Sequence, residues 1–456
     1  MAFPLESEAG LPRPKNIIIL IGDGMGYNQI KALDFYLGMN AQVFEQFPVQ
    51  LAMATYPVKA GEYKDGLPGS NYFATGYNTV AAWKDTAFLR KNFTESAAAA
   101  TAMATGFKTY NNAIGMSVVY DTLKNLIECA KALGKSAGVV STVPFSHATP
   151  AGFTVHNKVR TNYGQIACQM LFDSRCDVMM GCGNPMFDDD GKKLQGKWKD
   201  SKYVGDSVLW QQLIRGSGER TRFLIHGKIR TAGDCNGDGK PDPWTLITKM
   251  DDFQNLEKGK TPKRVLGCPE VYSTLQQART FSKGETKDSP PYTTPFVSSV
   301  PSLALMVTGA LNVLDSNPNG FFCMIEGGAI DWAAHSNQKG RLIEELTGFG
   351  EAVKAVVHWV GTHSNWNETM VIVTGDHETG YLWGGAPFVP VKNNGQGQLP
   401  GMQFNSDNHT NSLLSFFAKG PGSDLYKGFA DEYDSIRGPF IQNSEISQLI
   451  QLLWKK

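Results

Sequence analysis

The chain has 456 residues, 41% hydrophobic and 19% charged, with 43 Lys and Arg set against 43 Asp and Glu. That balance argues against a general nucleic-acid binder, a polybasic membrane-surface protein or an acidic disordered chain, and the charged fraction is too low for a coiled coil. The length can bury an ample core in one to three domains, and no apolar run approaches the roughly 18 residues of a membrane helix. Met1 to Glu6 show no basic segment followed by an apolar stretch, so no secretory signal is read there.

Asn16 to Ile21 reads as a buried strand that runs into Gly22-Asp23-Gly24. The Gly22-Asp23-Gly24-Met25-Gly26 run invites a dinucleotide-binding reading, but it lacks the third Gly at the required spacing, and Asp23 would repel a pyrophosphate. Next, Thr94 to Gly106 is Ala-rich: a helix is expected, closed by Gly106, with Ser96 in its first turn. A Ser at a helix start is ordinarily just a cap. Free amides and the positive dipole end also favour an anion there and lower the pKa of a hydroxyl, so Ser96 is a candidate nucleophile once a metal site is found nearby.

Leu123, Leu126, Ile127, Ala130 and Leu133 follow helical spacing up to Gly134, and Gly138 to Thr142 reads as the next strand, leading to His147 and Thr149. Seven cysteines leave two readings open: a local bridge among Cys168, Cys176 and Cys182, or reduced buried thiols. No C-x-x-C pair occurs, which argues against a thiolate zinc site. About 188–295 the chain is rich in Gly, Lys, Asp and Pro with little periodicity and reads as an insertion. Within it, 234–242 places Asp234, Asn236, Asp238 and Asp242 at the alternating positions of a calcium loop, although Thr245 stands where an EF-hand has Glu. The alternative is an Asx- and Gly-rich surface turn.

Phe321 to Ile325 is a third buried strand, ending in Glu326, and Met370 to Thr374 a fourth, followed by Asp376-His377. Asp331 and His335 stand at i, i+4 on one helix face, one turn beyond Glu326. A lone pair at that spacing is usually a surface pair, but its place after a strand that ends in Glu favours ligation. A second insertion, 381–402, is rich in Gly, Pro and Asn, and His409 follows it. Of the 8 His, four (His147, His335, His377, His409) fall at these positions, which argues for a shared site. Carboxylates with imidazoles and no thiolate suit zinc in open coordination, and oxygen-rich positions suit magnesium. Strands alternating with helices predict a three-layer α/β/α sandwich around a large, mainly parallel sheet, with functional groups at the carboxyl ends of the strands.

Taken together, these motifs resemble those of the alkaline phosphatases, from Asn16 to His409. The cues are Asp23 after the first strand, the T-x-S-A-A run around Ser96, His147-Ala148-Thr149-Pro150 followed by Arg160, Glu326 to Asp331 with His335, Thr374 to Glu378, and His409. The resemblance implies one catalytic domain over 1–456 and hydrolysis of phosphate monoesters through a phosphoserine on Ser96, with inorganic phosphate as product. It implies one zinc on Asp331, His335 and His409, and a second on Asp23, Asp376 and His377 beside Ser96. A third metal, usually magnesium, would be bridged by Asp23 and completed by Thr149, Glu326 and His147. Arg160 would clamp the phosphate oxygens.

Three positions depart from the best-known enteric bacterial pattern. Glu95 replaces an Asp before the nucleophile, His147 a carboxylate, and Trp332 a Lys that helps hold phosphate, so weaker phosphate retention is expected. The resemblance further implies a homodimer, with 381–402 as a crown-like interface, and a periplasmic or extracellular location. Sulfatases, which share the superfamily fold, need a C/S-x-P-x-R motif, and Ser299-Val300-Pro301-Ser302-Leu303 lacks its Arg. Two other readings are a phosphodiesterase of the same superfamily and a calcium-dependent extracellular binding protein with a degenerate metal site.

Overall fold

The computed structural model describes residues 10–39, 41–60, 63–64, 67–68 and 72–455, so Met1 to Glu6, read above for a secretory signal, lie outside the described residues. One sheet collects strands from nearly the whole chain: β1 (Asn16–Gly22), β2 (Val49–Ala54), β3 (Ser136–Pro144), β4 (Val178–Cys182), β5 (Thr245–Ile247), β6 (Val265–Gly267), β7 (Phe321–Gly327), β8 (Thr369–Gly375), β9 (Leu414–Lys419), β10 (Glu432–Asp434) and β11 (Gly438–Gln442). Their order is β5-β6-β4-β3-β7-β1-β8-β9-β2-β11-β10, and only β9 and β10 run against the rest. The central strands are buried along their full length, which is why they read as unbroken apolar runs instead of alternating ones.

Alternate residues of β1 enter different cores, and this makes the three layers. Ile17, Ile19 and Ile21 pack with α2 (Ser96–Thr105), α3 (Ala148–Thr154), α4 (Tyr163–Phe172) and the C-terminal α8 (Glu445–Trp454). Ile18 and Leu20 face α5 (Leu303–Leu314), α6 (Ala329–His335) and α7 (Lys339–His363), with α1 (Tyr27–Leu37) on the same side. The expected α/β sandwich is therefore the observed one. Among the described residues no helix is long and apolar enough to cross a membrane.

The 188–295 stretch, expected as an irregular insertion, does more than loop. It supplies β5 and β6, which extend the sheet beyond β4, and adds a helix (Ser207–Arg215) and a hairpin of Arg222–Ile225 with Lys228–Thr231. Strands of three residues are too short to print a period in the sequence. A buried ion pair, Arg279 Nη2 to Glu344 Oε2 at 2.8 Å, pins the end of this stretch to α7. The 381–402 segment leaves from and returns to a two-residue ladder of Leu382–Trp383 with Gln403–Phe404. All seven cysteines are free thiols, five of them buried, so the bridge reading for Cys168, Cys176 and Cys182 gives way to the reduced one.

The helix that begins at Ser96 is set by small residues. Six of its ten residues are alanine, and it packs on α3 so closely that a Cβ at Gly152 would meet the Ala100 Cβ at 2.8 Å. Thr149 rides on the same short helix, so this contact sets the spacing between Ser96 and Thr149. A Gly152→Val variant should lose about 1–3 kcal/mol of stability through overpacking, read as a lowered Tm in thermal denaturation. An unchanged Tm would show that the two helices tolerate separation.

Candidate active site

Four neighbouring strands, β3, β7, β1 and β8, end side by side. Ile21 of β1 pairs with Glu326 on one side and Thr374 on the other, so Asp23 leaves its strand beside Glu326 and Asp376. The turn after β1 needs Gly24, which sits at φ +76° with its missing Cβ only 2.9 Å from the Thr379 hydroxyl. After β3 the chain turns through Ser146 into α3, placing His147 at the helix start and Thr149, fully buried, in its first turn. Helix α6 then carries Asp331 and His335 over the same edge.

The ligand-type atoms converge. His335 Nε2 lies 3.0 Å from His409 Nε2, and Asp331 Oδ1 lies 3.3 Å from the first and 3.5 Å from the second. His377 Nε2 is 3.4 Å from Asp23 Oδ1, 3.3 Å from Asp376 Oδ2 and 3.3 Å from Ser96 Oγ. Among the described residues, the groups of His, Cys, Asp and Glu whose ligand atoms all lie within 4.8 Å of one another are Asp331, His335, His409 and Asp23, Asp331, His377.

Three imidazoles are fixed from behind. His335 Nδ1 lies 2.6 Å from the Asp407 carbonyl and His409 Nδ1 lies 2.9 Å from the Thr94 carbonyl. A carbonyl only accepts, so each Nδ1 carries the proton and donates, and each Nε2 turns a lone pair inward. The Thr379 hydroxyl donates to Asp331 Oδ1 at 2.6 Å and so accepts from His377 Nδ1 at 3.2 Å, tying the two clusters together. Two facing lone pairs 3.0 Å apart beside a carboxylate repel unless a proton or a cation sits between them; without a cation His409 takes the proton, since burial lowers its pKa but the hydrogen bond to Asp331 and that carboxylate's charge raise it overall. Asp23 Oδ1, Asp376 Oδ2, Glu326 Oε1 and His147 Nδ1 are buried with no hydrogen-bond partner, a cost normally met by a ligand. The donor set thus fits divalent cations, with Asp331, His335 and His409 around one and Asp23, Asp376 and His377 around another. Glu326, Thr149 and His147 complete a third, more oxygen-rich position.

Electrostatics follow the same pattern. Burial pushes the Asp376 carboxyl up to about 6 and Glu326 to about 7, and burial with the neighbouring Asp376 and Asp331 raises Asp23 well above the usual range. Burial, then the Arg160 charge, pushes His147 down to about 3. Asp331 is buried too, but hydrogen bonding to and the charge of His409 hold it below the ordinary carboxylate range.

Ser96 opens α2 with Glu95 as its cap: the Glu95 carboxylate accepts from the Ala97 amide at 3.0 Å, Ala98 at 2.8 Å and Asn112 at 2.8 Å, and also pairs with Arg160. Burial opposes its charge, yet Arg160 and these amides hold it below the usual range. The longer Glu therefore still anchors Arg160. Trp332 meets the His147 ring edge-on at 5.6 Å, beside the third position. The structure brings together every predicted zinc and magnesium ligand with Ser96, Glu95, Arg160 and Trp332.

The 234–242 loop lies apart from them. Its Asp234 carboxylate accepts from the Gly237 and Gly239 amides at 2.6 and 2.9 Å, and Asn236 and Asp238 accept from amides two residues on. The bonds at Asn236 and Asp238 are Asx turns, and those at Asp234 close the loop on its first carboxylate, an arrangement that both readings of the segment share. Thr379 and Ser141, whose hydroxyl donates to Glu326 Oε2 at 2.5 Å, went unnoticed in the sequence. A polar residue inside the apolar run of β3 was the signal for Ser141.

A serine at a helix start, facing clustered carboxylates and imidazoles with an anchored guanidinium alongside, is an arrangement that can support metal-assisted attack on an anionic ester. The alkaline phosphatase family model matches residues 14–437, and the chain belongs to that family. Alkaline phosphatase 4 of Bacillus subtilis (strain 168) is 30% identical over 380 residues, covering 80% of this chain and 62% of that protein. The alkaline phosphatase of Escherichia coli (strain K12) is 28% identical over 450 residues, 92% of this chain and 84% of that one. The chain thus spans less than two thirds of the Bacillus relative's length.

Among solved structures, the alkaline phosphatase of the Antarctic bacterium TAB5 shares the fold with TM-score 0.62 and 24% identity, over 97% of this chain and 100% of that one. The cold-active alkaline phosphatase of a psychrophilic Shewanella sp. gives TM-score 0.65 at 23% identity, over 97% and 100%. A TAB5 variant has been solved with Mg bound in its M3 site.

Since the raised carboxyls of the metal-free protein keep protons that the unfolded chain has released, its stability should fall as pH rises from about 4 to about 7. Cation binding displaces those protons and strengthens over the same window. The Tm gap between zinc- and magnesium-loaded and EDTA-treated protein should therefore widen from pH 5.5 to pH 7.5; a gap independent of pH would contradict this.

Proposed function

We propose that the protein is an alkaline phosphatase that hydrolyses phosphate monoesters through a phosphoserine on Ser96, with two Zn2+ and one Mg2+ as cofactors. The observation that supports this best is the set of inward Nε2 lone pairs and orphaned carboxylate oxygens that closes on Ser96 Oγ. Bound divalent cations would supply Lewis-acid stabilisation to the attacking and leaving oxygens of an in-line displacement.

The chain's own residues do the rest. Glu95 orients the Arg160 fork, which takes two non-bridging phosphate oxygens. At the start of α2 the Ala97 and Ala98 amides hold the Glu95 carboxylate, and through it they steady Arg160. Ser96 Oγ attacks phosphorus, the ester oxygen leaves with its electron pair, and water then hydrolyses the phosphoserine to release inorganic phosphate. Such a loose transition state asks for positioning and charge more than for covalent help. Glu326, Thr149 and Asp23 suit magnesium, with His147 the one nitrogen donor in that set. Family membership also supports a homodimer, with 381–402 as candidate interface, working in the periplasm or outside the cell.

Hydrolysis of p-nitrophenyl phosphate at alkaline pH tests the reading. Ser96→Ala should lower kcat by at least about 1000-fold, and EDTA should abolish wild-type activity until zinc and magnesium are restored. Ser96-independent or EDTA-resistant turnover would refute it. Trp332→Lys should tighten competitive inhibition by inorganic phosphate by about tenfold, as expected of one added charge-assisted contact, and slow product release. An unchanged inhibition constant would remove Trp332 from phosphate retention.

A further inference from the structure

One part of the 188–295 stretch lies against the site and has no role in the chemistry above. From Lys192 to Lys202 it carries five lysines: Lys192, Lys193, Lys197, Lys199 and Lys202. The acidic run just before them is engaged elsewhere. Asp188 accepts from the Asp190 and Lys192 amides, Asp189 from the Ser273 amide, and Asp190 from the Thr280 amide and hydroxyl.

The basic segment is fastened in place. Ser146, next to His147, donates to the Tyr203 carbonyl at 2.8 Å, the Lys199 amide to the Pro185 carbonyl at 2.8 Å, and the Tyr272 hydroxyl to the Asp200 carbonyl at 2.9 Å. A row of rings leads out from the site: His147 stacks on Tyr163 at 5.8 Å, Tyr163 meets Tyr203 edge-on at 5.0 Å, and Tyr203 meets Tyr272 at 5.6 Å. Lys202 Nζ stands 5.4 Å from the Tyr163 ring centre and 5.0 Å from that of Tyr203, and Lys199 Nζ 5.7 Å from that of Tyr272. The carboxylate paired with Lys202, Asp200, is 3.9 Å away, beyond hydrogen-bond length, and two-thirds exposed.

Resting on the phosphatase reading of the site, we infer that Lys202, with Lys199, forms a subsite for a second phosphoryl group on the substrate, so that bisphosphorylated esters are preferred over monophosphorylated ones. An unsupported surface lysine loses rotamer freedom when it binds, whereas an ammonium already held over two rings loses less. A second phosphate needs a compact, strongly charged donor at a distance from the reacting phosphorus, and Lys202 stands two ring contacts from His147. With no net charge on the chain, such selectivity must come from a local patch. The bond broken and the bond formed are those of the reaction above.

The test compares kcat/KM within two pairs on the metal-loaded enzyme: adenosine bisphosphate against adenosine monophosphate, and fructose bisphosphate against fructose monophosphate. The bisphosphate should be favoured about five- to tenfold in both pairs at low salt, and raising salt from about 0.01 M to about 0.5 M should bring the ratios near one. Replacing both lysines, Lys199→Ala with Lys202→Ala, should do the same, whereas Lys202→Arg should keep the preference. A ratio that survives the double replacement overturns the subsite. So does a parallel fall for both members of each pair, which would make the lysines general steering charges, or a preference confined to the nucleotides, which would mean recognition of the base. The salt series on the wild type reads the subsite even if the double variant folds poorly. Turnover of p-nitrophenyl phosphate with ratios of one removes the subsite alone; absence of that turnover removes the phosphatase reading and the subsite with it.

Discussion

The structure depends on like charges being held together where they cannot relax. Asp23, Glu326, Asp331 and Asp376 are all buried at the carboxyl edge of four adjacent strands, and the nearby guanidinium is engaged with Glu95. Burial and mutual repulsion raise three of these four carboxyls, so the metal-free fold carries a cost concentrated at one edge. Two apolar cores, one on each face of the sheet, offset it: the strands that deliver the carboxylates are fully buried along their length. A loop carrying the same residues would swing them apart into water. Strands hydrogen-bonded on both sides leave only the option of holding a proton or a cation.

The surrounding side chains then make a proton the poorer choice. Outward Nδ1 donations from His335 and His409 to fixed carbonyls commit both Nε2 atoms to face inward, and Thr379 does the same for His377 through a hydroxyl whose proton is already given to Asp331. A single threonine therefore couples the ligand sets of two positions. The clamp around Glu378 works at longer range: its carboxylate accepts from Gln29 Nε2, the Leu382 amide and the Thr410 hydroxyl, locking the segment after His377 to the one that carries His409. Burial raises Glu378, and those donors oppose the shift.

What could be read in the sequence and what could not divide along physical lines. Asp23, Glu326 and Asp376-His377 were legible because a buried parallel strand is a continuous apolar run, and the polar residue at its end stands out. Asp331 and His335 were legible through helical spacing. Ser96 was legible only as a helix start and became a nucleophile candidate by association with the others. The bond from Thr379 to Asp331 joins residues distant in sequence, so no local pattern announces it, and Ser141 stands out as a polar residue in an apolar strand without showing that its partner is Glu326. The two three-residue strands at the sheet edge were too short for periodicity to register. The 234–242 loop stays open to both of its readings for a related reason: Asx turns and calcium loops use the same Asx and Gly spacing, and both let the first carboxylate accept from amides of its own loop.

Zero net charge hides a strong separation of charge within the site. At the strand ends lie the buried carboxylates; beside them, Glu95 and the α2 amides fix the Arg160 guanidinium; along the rim stand lysines mounted on tyrosine rings. Each layer neutralises its neighbour, so the sum carries no information about the site. On the proposed reading an anionic substrate would meet these layers in sequence, lysines first and the ligand cluster last, and exposure falls along the same path. Screening is strongest where Lys202 is solvated and weakest where Asp376 and His377 are fully buried, so salt acts on the rim while the inner cluster is insulated from it. On that reading selection among substrates and the bond-breaking step would fall to different residues, and the outer layer could vary without disturbing the strand ends beneath it.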